Sequence, residues 1–203
     1  MDRDDLAARI DSYMHRYGAL DADILTFIAD ARSMIAQDLR TQHNLTSATV
    51  AMTGGTGTLP ADFEAVQTVY EPAGGRLEYV TADFAASWRE ETDTPTMYTI
   101  DTGLRSYPLT DGNYTLYYYQ LPTELTAGGT ENTVLTRLPL VYLSACLYLG
   151  GIWTASPEFL QAMLDFYQRE IGKANAAYKR SRRGHEAAQQ GTHSFAANPP
   201  KGV

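Results

Sequence analysis

Apolar positions recur along this chain with two different periods, and the switch between them divides it. Residues 4–17 place Leu6, Ile10, Tyr13, Met14 and Tyr17 on one stripe with charges opposite, which predicts an amphipathic helix ended by Gly18. A second helix follows, with Asp21 as its N-cap and Leu20 and Leu25 spaced as a hydrophobic staple. Its apolar face is Ile24, Phe27, Ile28, Ala31, Ile35 and Leu39, and its outer face carries Asp23, Asp30, Arg32 and Asp38. Each helix can bury only one side, so each needs a partner.

From Thr46 the period falls to two. Leu45 to Thr53 reads as a strand, Gly54-Gly55-Thr56-Gly57 as a turn, and Ala65 to Tyr70 as the next strand. Pro72-Ala73-Gly74-Gly75 turns the chain into Arg76 to Val80, and Thr81 caps a short helix through Glu91 with Phe84 and Trp88 on one side. Thr96 to Asp101, Arg105 to Leu109 and Tyr114 to Leu121 then form a meander joined at Thr102-Gly103 and Asp111-Gly112. In the last strand Tyr114, Leu116 and Tyr118 face one way, and Tyr117, Tyr119 and Leu121 the other. Neither face is polar, so this strand is central to a sandwich or buried against a neighbour.

Helical period returns after the loop Leu125 to Asn132. Arg137 to Leu149 is apolar nearly all round, with Pro139 tolerated in the first turn and Gly150-Gly151 as its stop. Ser156-Pro157-Glu158 is a strong helix start. The final helix uses Phe159, Met163, Phe166, Ile171, Ala174 and Tyr178, and it ends in Lys179-Arg180-Ser181-Arg182-Arg183. Gly184 to Val203 has no periodicity and contains Pro199-Pro200, which predicts an extended, disordered arm.

These elements predict an α+β chain. A bundle of about four helices spans residues 1–45 and 133–183, an antiparallel sandwich-like module is inserted at 46–132, and an extended C-terminal arm covers 184–203.

Charge sharpens the picture. The formal net charge is -8, but residues 1–168 carry 9 basic and 22 acidic side chains, a net -13, and residues 169–203 carry 7 and 2, a net +5. An acidic body repels phosphates, so most of the chain is a poor reader of nucleic acid. The basic cluster at 179–183 suits a solvated helix end, a nucleic-acid contact or an acidic groove on a partner. The single cysteine, Cys146, lies in an apolar run and reads as a buried, reduced thiol. The first residues, Met1-Asp2-Arg3-Asp4-Asp5, lack the basic and apolar pattern of a secretion signal. Leu138 to Pro157 is uncharged but broken by Pro139, Gly150 and Gly151, which favours a buried helix over a membrane span.

Catalytic, cofactor and metal signals are all missing. Gly54-Gly55-Thr56-Gly57 has no following Lys-Ser/Thr and leads into no helix, so it fails the phosphate-loop pattern. His15, His43, His185 and His193 match no zinc spacing. Glu90, Glu91 and Asp93 read as a solvated helix end. Stacked bases on the tyrosine-rich strand are disfavoured, since only Arg89 and Arg105 are basic between residues 77 and 136. An enzyme would need a pocket of converging titratable groups. A carbohydrate- or nucleotide-binding sandwich is the alternative that the tyrosines leave open.

Taken in order, the pieces resemble the head-to-tail adaptor (connector) proteins of tailed bacteriophages. The resemblance rests on the helix face from Ile24 to Leu39 and on Leu59-Pro60-Ala61-Asp62-Phe63. It continues through Phe84 and Trp88, Pro95-Thr96-Met97-Tyr98, the strand Tyr114 to Pro122, and two last helices, the second starting at Ser156-Pro157-Glu158. It covers about residues 20–183; the helix at 4–17 and the long C-terminal arm depart from it. The resemblance implies a structural virion protein without catalysis, cofactor or metal. It further implies a ring of identical subunits, a dodecamer, in the neck between head and tail, assembled in the host cytoplasm. The partners would be the portal protein above and tail or neck proteins below, with DNA passing through the lumen and no membrane. We assign the portal-binding role to Lys179, Arg180, Arg182, Arg183, Phe195, Pro199 and Pro200.

Overall fold

The computed structural model describes residues 1–15, 18, 19, 21–87, 94–126 and 129–196, with the backbone alone given from 184 to 196. Two compact units divide the chain: Met1–Gln42 with Leu125–Val203, and His43–Glu124.

In the first unit, α1 (Arg3–Met14) begins at a capping box. Asp2 accepts from the Asp5 N–H at 2.8 Å, and the Asp2 N–H donates back to Asp5 at 3.4 Å. Leu6, Ile10 and Met14 are fully buried along its inner stripe, whereas Tyr13 turns outward and is 51% exposed, so the stripe is narrower than expected. Tyr17, Leu20 and Trp88 lie outside the described residues. In α2 (Asp21–Asp38) the whole predicted face is buried, from Ile24 to Ile35, and Leu39 just beyond it too. Asp21 is the first helical residue rather than the cap, where its charge still suits the positive dipole end.

The helix read from Arg137 to Leu149 starts at Pro139 and runs on to Thr154, and a separate short helix precedes it. A short α4 (Thr133–Arg137) is capped by Asn132, whose side-chain Oδ1 accepts from the Leu135 N–H at 2.8 Å. Pro139 then opens α5 (Pro139–Thr154) at its first position, where an N–H finds no intrahelical acceptor and proline's lack of one costs nothing.

Gly150-Gly151 does not stop α5. A Cβ on Gly150 would sit 2.7 Å from the Met14 Cε, and one on Gly151 would sit 3.0 Å from the Leu160 Cα. The pair lets α1 and the next helix approach closely, and the stop falls at Ala155, which takes a left-handed conformation at φ 51°. Next comes α6 (Pro157–Ala196), whose 40 residues run 13 past the expected end at Arg183. Thus the backbone from Gly184 to Ala196 is helical where an extended arm was expected; the remaining seven residues, with Pro199 and Pro200, lie outside the described part. Phe27, Ala31, Leu135, Tyr142, Leu147 and Tyr167 join these helices in one core.

The second unit packs two sheets. β1 (Leu45–Met52), β3 (Phe63–Tyr70) and β7 (Gly112–Gln120) form one in the order β1-β7-β3, so the tyrosine-rich strand is central in its sheet, one of the two settings its pattern allowed, although Tyr117 on one face stays exposed. The other has the order β2-β6-β5-β4, from β2 (Thr56–Gly57), β4 (Glu78–Tyr79), β5 (Met97–Ile100) and β6 (Leu104–Tyr107). A short α3 (Ala82–Ser87) precedes β5. Val50, Val69, Tyr114, Leu116 and Tyr118 of the first sheet meet Tyr98 and Leu104 of the second in a separate core.

The β1–β2 turn follows the glycine pattern. Gly54 and Gly55 both have positive φ (59° and 69°), which a tight hairpin turn needs and side chains resist. The meander is only half right. β5 and β6 form a hairpin, but β7 leaves β6 for the other sheet. Pro108 has no N–H to extend the β6 ladder, and Asp111 caps the Gly54 N–H at 2.6 Å instead of making a hairpin turn.

Candidate functional site: the basic cluster of the last helix

The position of α6 is fixed by polar contacts near its middle. Tyr167 is 4% exposed, and its hydroxyl donates to the Asp38 carboxylate at 2.8 Å. Two turns on, the Asn175 side chain accepts from the Arg40 N–H at 2.7 Å and donates to the Asp38 carbonyl at 2.9 Å. The Arg40 guanidinium donates to the Ala36 and Leu39 carbonyls, both at 2.9 Å. Together these groups satisfy carbonyls that a helix end leaves without partners. They also clamp α6 to the C-terminal end of α2. Burial first, then the bond to Asp38, pushes the Tyr167 hydroxyl pKa upward, so the donor keeps its proton throughout the neutral range.

One turn beyond Asn175 comes the predicted cluster. Lys179, Arg180, Arg182 and Arg183 are exposed on α6. Four cations within five residues make a local positive field on the helix surface. Phe195 lies in the helical backbone beyond the described side chains, and Pro199 and Pro200 lie outside the described residues. The structure therefore groups the four cations on one stretch of α6.

Sequence reasoning missed the clamp, although a signal was present. Asn175 sits on the stripe formed by Tyr167, Ile171, Ala174 and Tyr178, and an amide on an apolar stripe must find buried partners.

Cys146 is fully buried, its thiol donates weakly to the Phe27 carbonyl at 3.7 Å, and burial pushes its pKa up, away from the reactive thiolate. Tyr142 is likewise pushed up to about 12 by burial, and its hydroxyl accepts from the Asn132 amide at 2.8 Å. Among the described residues no group of three or more His, Cys, Asp or Glu side chains is placed to hold a metal ion. No described helix is long and apolar enough to cross a membrane. Tyr114 and Tyr118 are core residues, not a stacking platform.

A helical unit is thus interrupted in sequence by a two-sheet insertion and carries a basic cluster on its last helix. The chain belongs to the SU10 adaptor protein family, whose profile covers residues 1–192. That match agrees with the resemblance to tailed-phage head-to-tail adaptors and gives the chain a structural adaptor role in a bacteriophage virion. No curated protein matches the chain.

Proposed function

We propose that this chain is the neck adaptor that joins the portal to the tail, as a ring of identical subunits around the DNA channel. The observation that carries the reading is the exposed cluster Lys179-Arg180-Ser181-Arg182-Arg183, held at a fixed place by the Tyr167 and Asn175 clamp. In this account the cations meet an acidic surface of the portal, and Phe195 with Pro199 and Pro200 fills apolar grooves on it.

A helical C-terminal segment suits docking better than an extended arm, because less conformational entropy is lost when a formed helix binds. One such contact is weak, and a ring of them is strong through avidity. The acidic surplus of residues 1–168 leaves channel-facing surface negative or neutral, so DNA passes without adhering. The family is a structural one, and the chain acts through binding rather than catalysis.

The test is binding to the purified portal ring. Reversal of four charges (Lys179→Glu, Arg180→Glu, Arg182→Glu and Arg183→Glu) leaves the fold unchanged and weakens binding by at least tenfold. Raising salt weakens the unaltered protein's binding in the same direction. Binding unaffected by both changes contradicts the assignment.

A further inference from the structure

An open groove of about 370 Å³ runs between α1 and the start of α2. Ala7 and Ala8 of α1 and Ile24 and Leu25 of α2 give it an apolar lining. Leu25 is 41% exposed there, although Ile24, Phe27, Ile28 and Ile35 of the same helix are buried. Asp4, Asp11 and Asp21 line the groove against one cation, Arg3, which is itself held by Asp4 at 3.3 Å. Asp11 has the exposed His15 ring at 3.7 Å. The Asp4 and Asp11 side chains remain 61% and 49% exposed, so both can meet a further cation.

From Asp4 to Asp11, α1 has the spacing Asp-x-x-Ala-Ala-x-x-Asp. The same spacing recurs on α6 with its charge inverted, as Lys173, Ala176, Ala177 and Arg180. At 3.6 residues per turn these four share an arc of about 100°, turned away from Tyr167, Ile171 and Ala174, which pack inward. All four are exposed, and a Cβ on the neighbouring Gly172 would meet nothing within 4 Å, so this side of α6 is open. Lys173 bonds Glu170 at 2.9 Å, yet its side chain is 63% exposed and an ammonium has three protons to donate.

We infer that the groove between α1 and α2 receives the α6 stripe of a second copy of this chain, helix against helix and antiparallel. Charge sets the direction as well as the partner. The α1 acids crowd its first turn, at Asp2, Asp4 and Asp5, and the α6 cations crowd toward Arg183. Antiparallel packing joins these two ends and opposes the helix dipoles, whereas parallel packing would separate them. In this register Asp4 meets Arg180, Asp11 meets Lys173, and Ala7 and Ala8 rest on Ala177 and Ala176. Alanines at the crossing let the helix axes approach to about 8 Å, the close end of the usual range, and Leu25 is covered.

The two surfaces are unlike, so each copy gives its stripe to one neighbour and takes another's in its groove. Contacts of that kind close into rings. The inference rests on the ring of the proposed function and supplies the contact between its subunits. Arg180 belongs to both the stripe and the portal cluster. Lys179 and Arg182 stand about 100° and 160° round the helix from it, on the side left to the portal.

The test is disulfide trapping in the free full-length chain, with no portal present. Protein with Ala8→Cys and protein with Ala176→Cys are mixed and mildly oxidised; Cys146 is fully buried and takes no part. The mixture is expected to give a cross-linked heterodimer, while each variant alone stays monomeric. A chain carrying both cysteines is expected to give a ladder of trimers and longer species, which a twofold contact does not produce. Asp11→Lys lowers the cross-linking rate about fivefold, and Lys173→Asp in the partner restores it, with circular dichroism unchanged throughout. Absence of the heterodimer, homodimers as abundant as heterodimers, or a charge exchange that fails to restore the rate overturns the proposal. Portal binding is read separately: failed trapping with portal binding intact removes this contact alone, and trapping without portal binding removes only the docking role.

Discussion

At the scale of single residues, the account turns on polar groups that sequence periodicity places but does not pair. Asp62 stands just before β3, and the structure shows what holds it there. The Tyr118 hydroxyl donates to Asp62 at 2.9 Å, and the Leu121 N–H donates to the Asp62 carbonyl at 2.8 Å. Burial, then this bond, pushes the Tyr118 pKa from 10.0 up to about 12. The folded value is raised, so the bond's contribution is intact below pH 10 and is lost as pH climbs from there toward 12. Tyr118→Phe is expected to lower unfolding free energy by about 1 kcal/mol near neutral pH. It should also flatten part of the alkaline loss, which urea unfolding at pH 7 and across the alkaline window would measure. Tyr167 and Asn175 belong to the same class: their types and positions were visible, but their partners on α2 lie more than a hundred residues away in sequence.

At the scale of elements, amphipathic stripes were the legible part. The α2 face from Ile24 to Leu39 is buried as its period required, and the two-sided pattern of β7 allowed the central place it takes. Glycine was harder to read, because it marks both turns and close packing. Gly54-Gly55 are a turn, whereas Gly150-Gly151 are inside a helix pressed on Met14 and Leu160. Paired substitutions separate these roles. In an open helical position alanine gains about 1 kcal/mol over glycine, and forcing a methyl into a packed contact costs about 1–3 kcal/mol. Gly172 in α6 has nothing within 4 Å, so Gly172→Ala is expected to raise stability by the first amount. Gly151→Ala meets the Leu160 backbone and is expected to lower it. Denaturant midpoints of the two variants on opposite sides of the unaltered protein are the expected result. The switch of β7 to a second sheet was beyond pattern reading: Asp111-Gly112 looks like a hairpin turn locally, and only the Asp111 bond to Gly54 shows otherwise.

At the scale of the molecule, charge separates what the two ends of the chain do. A body with a net -13 and a basic end with a net +5 were legible in composition alone. The helical path of the basic end was not, because Gly184 and Gly191 interrupt any periodic signal there. Protein ending at Tyr178 is expected to show no tight, salt-sensitive binding to double-stranded DNA by fluorescence anisotropy; such binding would contradict a channel past which DNA slides. The docking role of the C-terminal segment is tested most directly by deleting residues 184–203 and measuring how many portal-bearing heads the protein joins to tails. The account predicts a folded protein whose joining falls far below the normal yield. Joining at the normal yield would contradict it.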